Sequence, residues 1–114
     1  MYYQSRGSKY GAKKHVYGEH VYHSKREAMQ AQELDLRKRA KDIKEWERQY
    51  PIKLEVNGYH ICTTKVDFLI HHNDGLKELL EVKGFETRDY KLIKKLIEAI
   101  FIHEHPNWIY TVVK

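Results

Sequence analysis

Two apolar segments flank the triplet Asn73-Asp74-Gly75, and the length of that turn decides how they pair. Lys65-Val66-Asp67-Phe68-Leu69-Ile70 precedes it and Leu79-Leu80-Glu81-Val82-Lys83-Gly84 follows. In a strand, residues two apart share a face, so Glu81 and Lys83 point one way and Leu80 and Val82 the other, while Asp67 points away from Val66, Phe68 and Ile70. If Asn73, Asp74 and Gly75 form a three-residue loop with Gly75 in the left-handed region, His72 pairs with Leu76. Counting back then sets Phe68 against Leu80, Asp67 against Glu81 and Val66 against Val82. A two-residue loop at Asp74-Gly75 slips the register by one, sets Asp67 against Val82 and mixes polar with apolar on both faces, which a sheet with a buried side avoids. The three-residue loop is the expectation.

The rest of the chain supplies elements to pack around this hairpin. Ser24 is a good N-cap, Glu27 follows at the third helical position, and Ala28, Ala31 and Leu34 recur at helical spacing, which predicts a helix over 24–41 with a basic later half. From residue 43 the period changes to two, and strands are expected at 43–49, 52–56, 59–63, 65–71 and 77–83, with Asn57-Gly58 as a hairpin turn. A second helix is expected over 88–103. Tyr90, Ile93, Leu96, Ile97, Ile100 and Phe101 form its apolar stripe, and Arg88, Lys91, Lys94 and Lys95 its opposite face. Pro106 marks its end, and 108–113 reads as a last apolar strand. The expected order is α-βββββ-α-β, an α/β (α+β) domain with a central mixed sheet flanked by helices.

Length and charge narrow the class. A chain of 114 residues fits one domain, and 41% apolar residues can support its core. We divide it into a flexible basic arm at 1–14 and a single domain at 15–114. The arm carries Arg6, Lys9, Lys13 and Lys14 with no acid, and Tyr2, Tyr3 and Tyr10 besides. It either tracks a phosphate backbone and stacks tyrosines on bases or is a terminus without a role. A net charge of +5 makes nucleic acid the leading partner class, because each neutralised phosphate releases counterions. No apolar run approaches the roughly 18 residues that cross a bilayer, and the lone Cys62 has no partner for an intramolecular disulfide, so no membrane association and a reducing cytoplasm are expected.

Directly opposed carboxylates repel unless something compensates them, and a divalent cation does so naturally. Mg²⁺ or Mn²⁺ takes oxygen ligands and keeps several waters, so Asp67, Glu81, a backbone carbonyl and a phosphate oxygen suffice. Lys83, on the face of Glu81, would sit near the attacking water or the developing phosphorane charge. The acid-x-Lys triplet by itself is weak, since Asp42-Ile43-Lys44 and Asp89-Tyr90-Lys91 also contain it. Only Glu81 has a partner strand with a second acid in register. The blander alternative is a solvated strand face with a Glu/Lys pair.

An Asp in one strand, Glu-x-Lys in the next and a preceding helix bearing Glu resemble the PD-(D/E)xK nuclease superfamily, here as Glu27, Asp67, Glu81 and Lys83. Lys9-Tyr10-Gly11-Ala12-Lys13-Lys14, Ser24-Lys25-Arg26-Glu27-Ala28 and Glu81-Val82-Lys83-Gly84-Phe85 are similar to small phage endonuclease-like proteins of Holliday-junction-resolvase type. Glu47-Arg48-Gln49-Tyr50-Pro51 and Thr63-Thr64-Lys65-Val66-Asp67-Phe68-Leu69 are similar to the restriction-like subunit of heteromeric transposases. Val66 stands where the superfamily name has proline. The resemblance implies a restriction-endonuclease-like core in which Asp67, Glu81 and the Val82 carbonyl hold Mg²⁺ or Mn²⁺, Glu27 adds a ligand directly or through water, and Lys83 assists the nucleophile. Ser24-x-x-Glu27 is equally a capping box. Gln49 is an auxiliary candidate.

The implied reaction is metal-dependent hydrolysis of DNA, structure-selective for branched or junction DNA, by a homodimer in phage recombination, replication or packaging. Arg6, Lys9, Lys13, Lys14, Lys25, Arg88, Lys91 and Lys95 would guide double-stranded or branched DNA. The alternative is a catalytically inactive DNA-binding accessory of the same fold. Histidine pairs (His20 and His23, His71 and His72, His103 and His105) lack the thiols of a zinc finger. Phosphate-loop and serine-elbow motifs are missing too.

Overall fold

Ser24 closes the first helix as expected from its type. Its extended backbone (φ −139°, ψ 155°) lets the side-chain oxygen accept the Glu27 N–H at 3.1 Å, which satisfies one of the orphan donors of the first turn. Helix α1 then runs Lys25–Arg39, burying Glu27, Ala28, Ala31 and Leu34 on one stripe, with Arg37, Lys38 and Arg39 in its last turn against the carbonyl end of the helix dipole. The computed structural model describes residues 15–17, 20–22 and 24–114. The expected arm at 1–14, with Arg6, Lys9, Lys13 and Lys14, lies outside them.

The main sheet has four strands in the order β3-β4-β5-β6: β3 Glu45–Val56, β4 Tyr59–His71, β5 Lys77–Val82 and β6 Trp108–Val113. The expected order needs correction, because two pairs of short strands are in fact single long ones. Pro51, which falls between the strands expected at 43–49 and 52–56, sits within β3 and pairs with Lys65. It is tolerated because β3 is the sheet edge, where a missing N–H interrupts no second ladder. A further two-stranded hairpin precedes α1, β1 His15–Tyr17 on β2 His20–Tyr22. Three residues per strand are too few for alternation to register, so the order is ββ-α-βββ-α-β.

Both turns behave as their residues require. Asn57 and Gly58 take positive φ of 53° and 83°, giving a two-residue loop with Val56 opposite Tyr59. Gly75 takes φ 93°, the His72 N–H donates to the Leu76 carbonyl at 2.9 Å, and Asp74 caps the turn through the Leu76 N–H at 3.0 Å. The three-residue loop therefore stands, and with it the register His71↔Lys77, Ile70↔Glu78, Leu69↔Leu79 and Phe68↔Leu80.

Each face of the sheet carries its own apolar core. On one, Ala28, Ala31 and Leu34 of α1 pack with Ile43, Phe68, Ile70 and Leu80. On the other, Ile52, Leu54, Val66, Leu69 and Leu79 pack with Ile97 and Phe101. Those two residues lie on the second helix, which is α-helical over Arg88–Leu96 (α2) and continues as a π-helical segment over Ile97–Ile102. This helix carries the chain across to β6, which pairs parallel to β5. Fully burying a side chain such as Phe68 or Leu79 contributes about 1.5–3 kcal/mol.

The two-residue period fails at one place. Val66 belongs to the second core and Phe68 to the first, although a regular strand would give them one face. On β3, Trp46 packs with the first core and Tyr50 with the second. The interruption lies where Gln49, at φ 54°, sits between the pairs Arg48↔Phe68 and Tyr50↔Val66, and hence opposite Asp67.

Candidate active site

Asp67 lies one step beyond Phe68↔Leu80, the last pair of the β4–β5 ladder, and its carboxylate takes over the hydrogen bonding there. Its Oδ2 accepts the Val82 N–H at 2.8 Å, while its own N–H donates to the Glu81 carboxylate. Glu81 follows Leu79 by two residues and so lies on the α2 side of the sheet, where Lys83 falls by the same count. The expected register holds as far as Phe68↔Leu80; beyond it the ladder stops, Val66 turns to the other core from Phe68, and side-chain hydrogen bonds join Asp67 to Glu81 and Val82 in place of the expected backbone pairs.

Glu81 is buried to 6% exposure, which an acid tolerates only with partners. Tyr110 of β6 donates to its Oε1 at 3.1 Å. Tyr90 of α2 meets the Tyr110 oxygen at 2.6 Å, and because Tyr110 uses its one proton on Glu81, Tyr90 is the donor. Lys83 lies with Nζ 4.7 Å from the centre of the Tyr90 ring, a cation–π contact that steers the ammonium toward the same group. Its own N–H donates to the Val113 carbonyl at 2.8 Å, tying it to β6.

These surroundings push the Glu81 carboxyl up to about 7. Burial is the largest cause and the neighbouring Asp67 charge the second; the Tyr110 hydrogen bond and the Lys83 charge only partly oppose them. Burial also lifts Tyr90 to about 12 and raises Tyr110 further, so both phenols stay protonated near neutrality. A half-buried Asp67 beside a buried acid that resists ionisation is a donor set that a divalent cation fits, since its charge offsets both the burial and the Asp67 repulsion that raise Glu81. The Val82 carbonyl is adjacent in the chain.

Other expected site residues fall in different places. Glu27 is buried at 5%, on the α1 stripe that faces the first core, and its N–H is capped by Ser24. Among the described residues no three His, Cys, Asp or Glu side chains gather as a metal-holding group, so Glu27 does not join Asp67 and Glu81 as a third direct ligand. The physical reason is placement: α1 covers one face of the sheet and Glu81 lies on the other. Gln49 does reach the site's neighbourhood, opposite Asp67, and its left-handed backbone is the kind of local strain that functional positions retain.

Lys25, Arg88, Lys91 and Lys95 are exposed, whereas Lys94 pairs with Glu86 at 3.8 Å. Lys114 pairs with Glu86 more closely, at 3.0 Å. Its hydrogen bond is the main cause holding Glu86 below the usual carboxylate range. Three of the paired histidines have ordinary partners, His71 with Glu47 at 2.6 Å, His72 with Glu78 at 2.8 Å, and His105 with the Phe101 carbonyl at 2.7 Å, while the side chains of His20 and His23 lie outside the described residues. Tyr90 and Tyr110 escaped the sequence reading, which took both as apolar. The available signal was a phenol in each of two segments otherwise apolar at that face.

None of the helices among the described residues is long and apolar enough to cross a membrane. No curated protein and no solved structure matches the chain significantly. A family model described as a protein of unknown function, DUF1064, matches residues 7–114, and the chain belongs to that family.

Proposed function

We propose that this protein is a metal-dependent endonuclease that hydrolyses phosphodiester bonds of DNA in the cytoplasm, with Asp67 and Glu81 as the metal-holding acids. One observation carries the reading: two acids from neighbouring strands converge at the end of a ladder, one of them buried and costly to ionise, beside a lysine held on the same face. A structural role alone leaves that cost only partly offset by Tyr110 and Lys83.

Each residue has a task in this reading. Asp67 and Glu81, with the Val82 carbonyl, hold Mg²⁺ or Mn²⁺. The cation supplies polarisation of the phosphate and a water acidified toward neutrality. Tyr110 fixes the Glu81 carboxylate through one oxygen. Lys83 offers three N–H donors to the attacking water or to charge developing on the phosphate. Gln49 orients polar groups beside Asp67, and Glu27 belongs to the capped first turn of α1.

The exposed cations Lys25, Arg88, Lys91 and Lys95 would contact phosphates, and so would the arm. A domain this small has little surface for reading bases, which favours recognition of backbone shape in branched or junction DNA. Symmetric cleavage of a junction needs two sites, hence a homodimer.

Calorimetry with Mg²⁺ or Mn²⁺ tests the centre. Wild type should bind the ion and Asp67→Ala should not; equal binding by both removes the assignment. Cleavage of labelled linear, flap and four-way-junction DNA then tests the reaction.

A second reading, a catalytically silent DNA-binding accessory of the same fold, is favoured by the lack, among the described residues, of a third metal-holding side chain beside Asp67 and Glu81. It predicts metal and DNA binding by wild type without product.

A further inference from the structure

The short segment from Lys83 to the start of α2 presents an aromatic ring to solvent. Phe85 is 81% exposed, the most exposed large apolar side chain of the described residues. An apolar ring so placed contributes little to the fold through burial, so it can be replaced without loss of the core. Its position is defined on both sides. Lys83 upstream is tied to β6 through its N–H and to Tyr90 through its ammonium. Thr87 downstream caps α2 by accepting the Tyr90 N–H at 3.1 Å. Gly84 between them lies against α1, where an added Cβ would sit 3.5 Å from Nη1 of Arg26. The ring is thus carried on a short loop anchored at both ends, between the starts of two helices that display Arg26 and Arg88 to solvent.

We infer that Phe85 is a stacking residue that selects DNA with an open base face, a branch, flap or junction, next to the phosphate under attack. The inference rests on the nuclease reading and sharpens its substrate class. Two residues of chain span at most about 7 Å, and successive bases on a strand are about 3.4 Å apart, so the ring reaches a base within about two nucleotides of the phosphate met by Lys83. Inside an intact duplex both faces of every base are already covered by neighbours. A ring can stack only where a branch, nick or single strand leaves one open, and stacking of this kind tolerates any base sequence. Arg26 and Arg88 would hold the flanking phosphates.

The test uses the full chain in EDTA, so that binding is read without cleavage, on linear duplex and on flap DNA with 2-aminopurine at the branch. Phe85→Ala should weaken flap binding roughly 5- to 100-fold, the range of one base–aromatic stack, and abolish the change in 2-aminopurine fluorescence. Linear binding should stay within about twofold, and Phe85→Trp should restore flap binding. An unchanged thermal midpoint for Phe85→Ala confirms that the fold is intact, as its exposure requires. Flap binding within about twofold of wild type, or no DNA binding by wild type, overturns the inference. A parallel incubation with Mg²⁺ separates the two ideas: Phe85-dependent flap binding without cleavage by wild type removes the nuclease reading and keeps the stacking residue, whereas cleavage insensitive to Phe85 does the reverse.

Discussion

The two ends of β5 do different work on the same strand. From Lys77 to Leu80 every residue pairs with β4 in strict register, and Leu79 and Leu80 fill the two cores. From Glu81 onward the ladder with β4 gives way to the Asp67 carboxylate, and the Glu81 position that would continue the second core holds an acid bonded by the Tyr110 phenol, which Tyr90 meets in turn. The comparison teaches that the buried face is not simply apolar. Where the ladder stops, side chains replace the backbone partners, and each replacement is a group able to bind something else.

Substitution at the core end should cost the most in stability. Phe68→Ala removes a fully buried ring and should lower the unfolding free energy by about 3–5 kcal/mol in denaturant titration. The contrast fails if this variant is as stable as wild type. At the other end, Lys83→Ala should leave the denaturation midpoint nearly unchanged and lower the rate of DNA cleavage by roughly 10²–10³-fold, the usual loss on removing one charge-stabilising donor. A stability defect without a rate defect would return Lys83 to the structural half.

The pH dependence of stability sharpens the same division. Folding raises Glu81 from its ordinary 4.5 to about 7, so the folded protein holds this proton more tightly than the unfolded chain. The Glu81 contribution is then fully present below about pH 4.5 and is lost as pH rises through about 7, a change on the order of 3 kcal/mol in the metal-free protein. Glu81→Gln should flatten that part of the profile, and saturating Mg²⁺ should restore stability above pH 7 to wild type alone. Identical profiles for the two proteins would show that Glu81 is not the group responsible.

Smaller effects belong to the turns and the phenols. Gly75→Ala forces a Cβ into the left-handed region and should cost about 1–2 kcal/mol in thermal unfolding, although open space surrounds the site. Tyr110→Phe removes the donor to Glu81 and should raise the Glu81 titration further above 7 by NMR, with about 1 kcal/mol of stability lost. A downward shift would mean that Tyr110 does not hold this carboxylate.

The sequence by itself determined the β4–β5 register as far as Phe68 and Leu80, and so which acids lie at the end of that ladder. A turn of three residues with glycine in its last place admits one register, and the alternation on either side admits one choice of faces, both local constraints carried by the chain. It also determined α1, whose cap and apolar stripe lie within one segment, and the stripe of α2. Tertiary structure alone decided the strand count, because Pro51 ends a strand or sits within one according to whether that strand is at an edge. It decided that Glu27 faces the other core from Glu81, since the packing side of a helix is not written in its periodicity. It also brought Tyr90 and Tyr110 to the acid and opened Phe85 to solvent, because contacts across 20 or 29 residues arise only when the parallel crossover sets β6 beside β5.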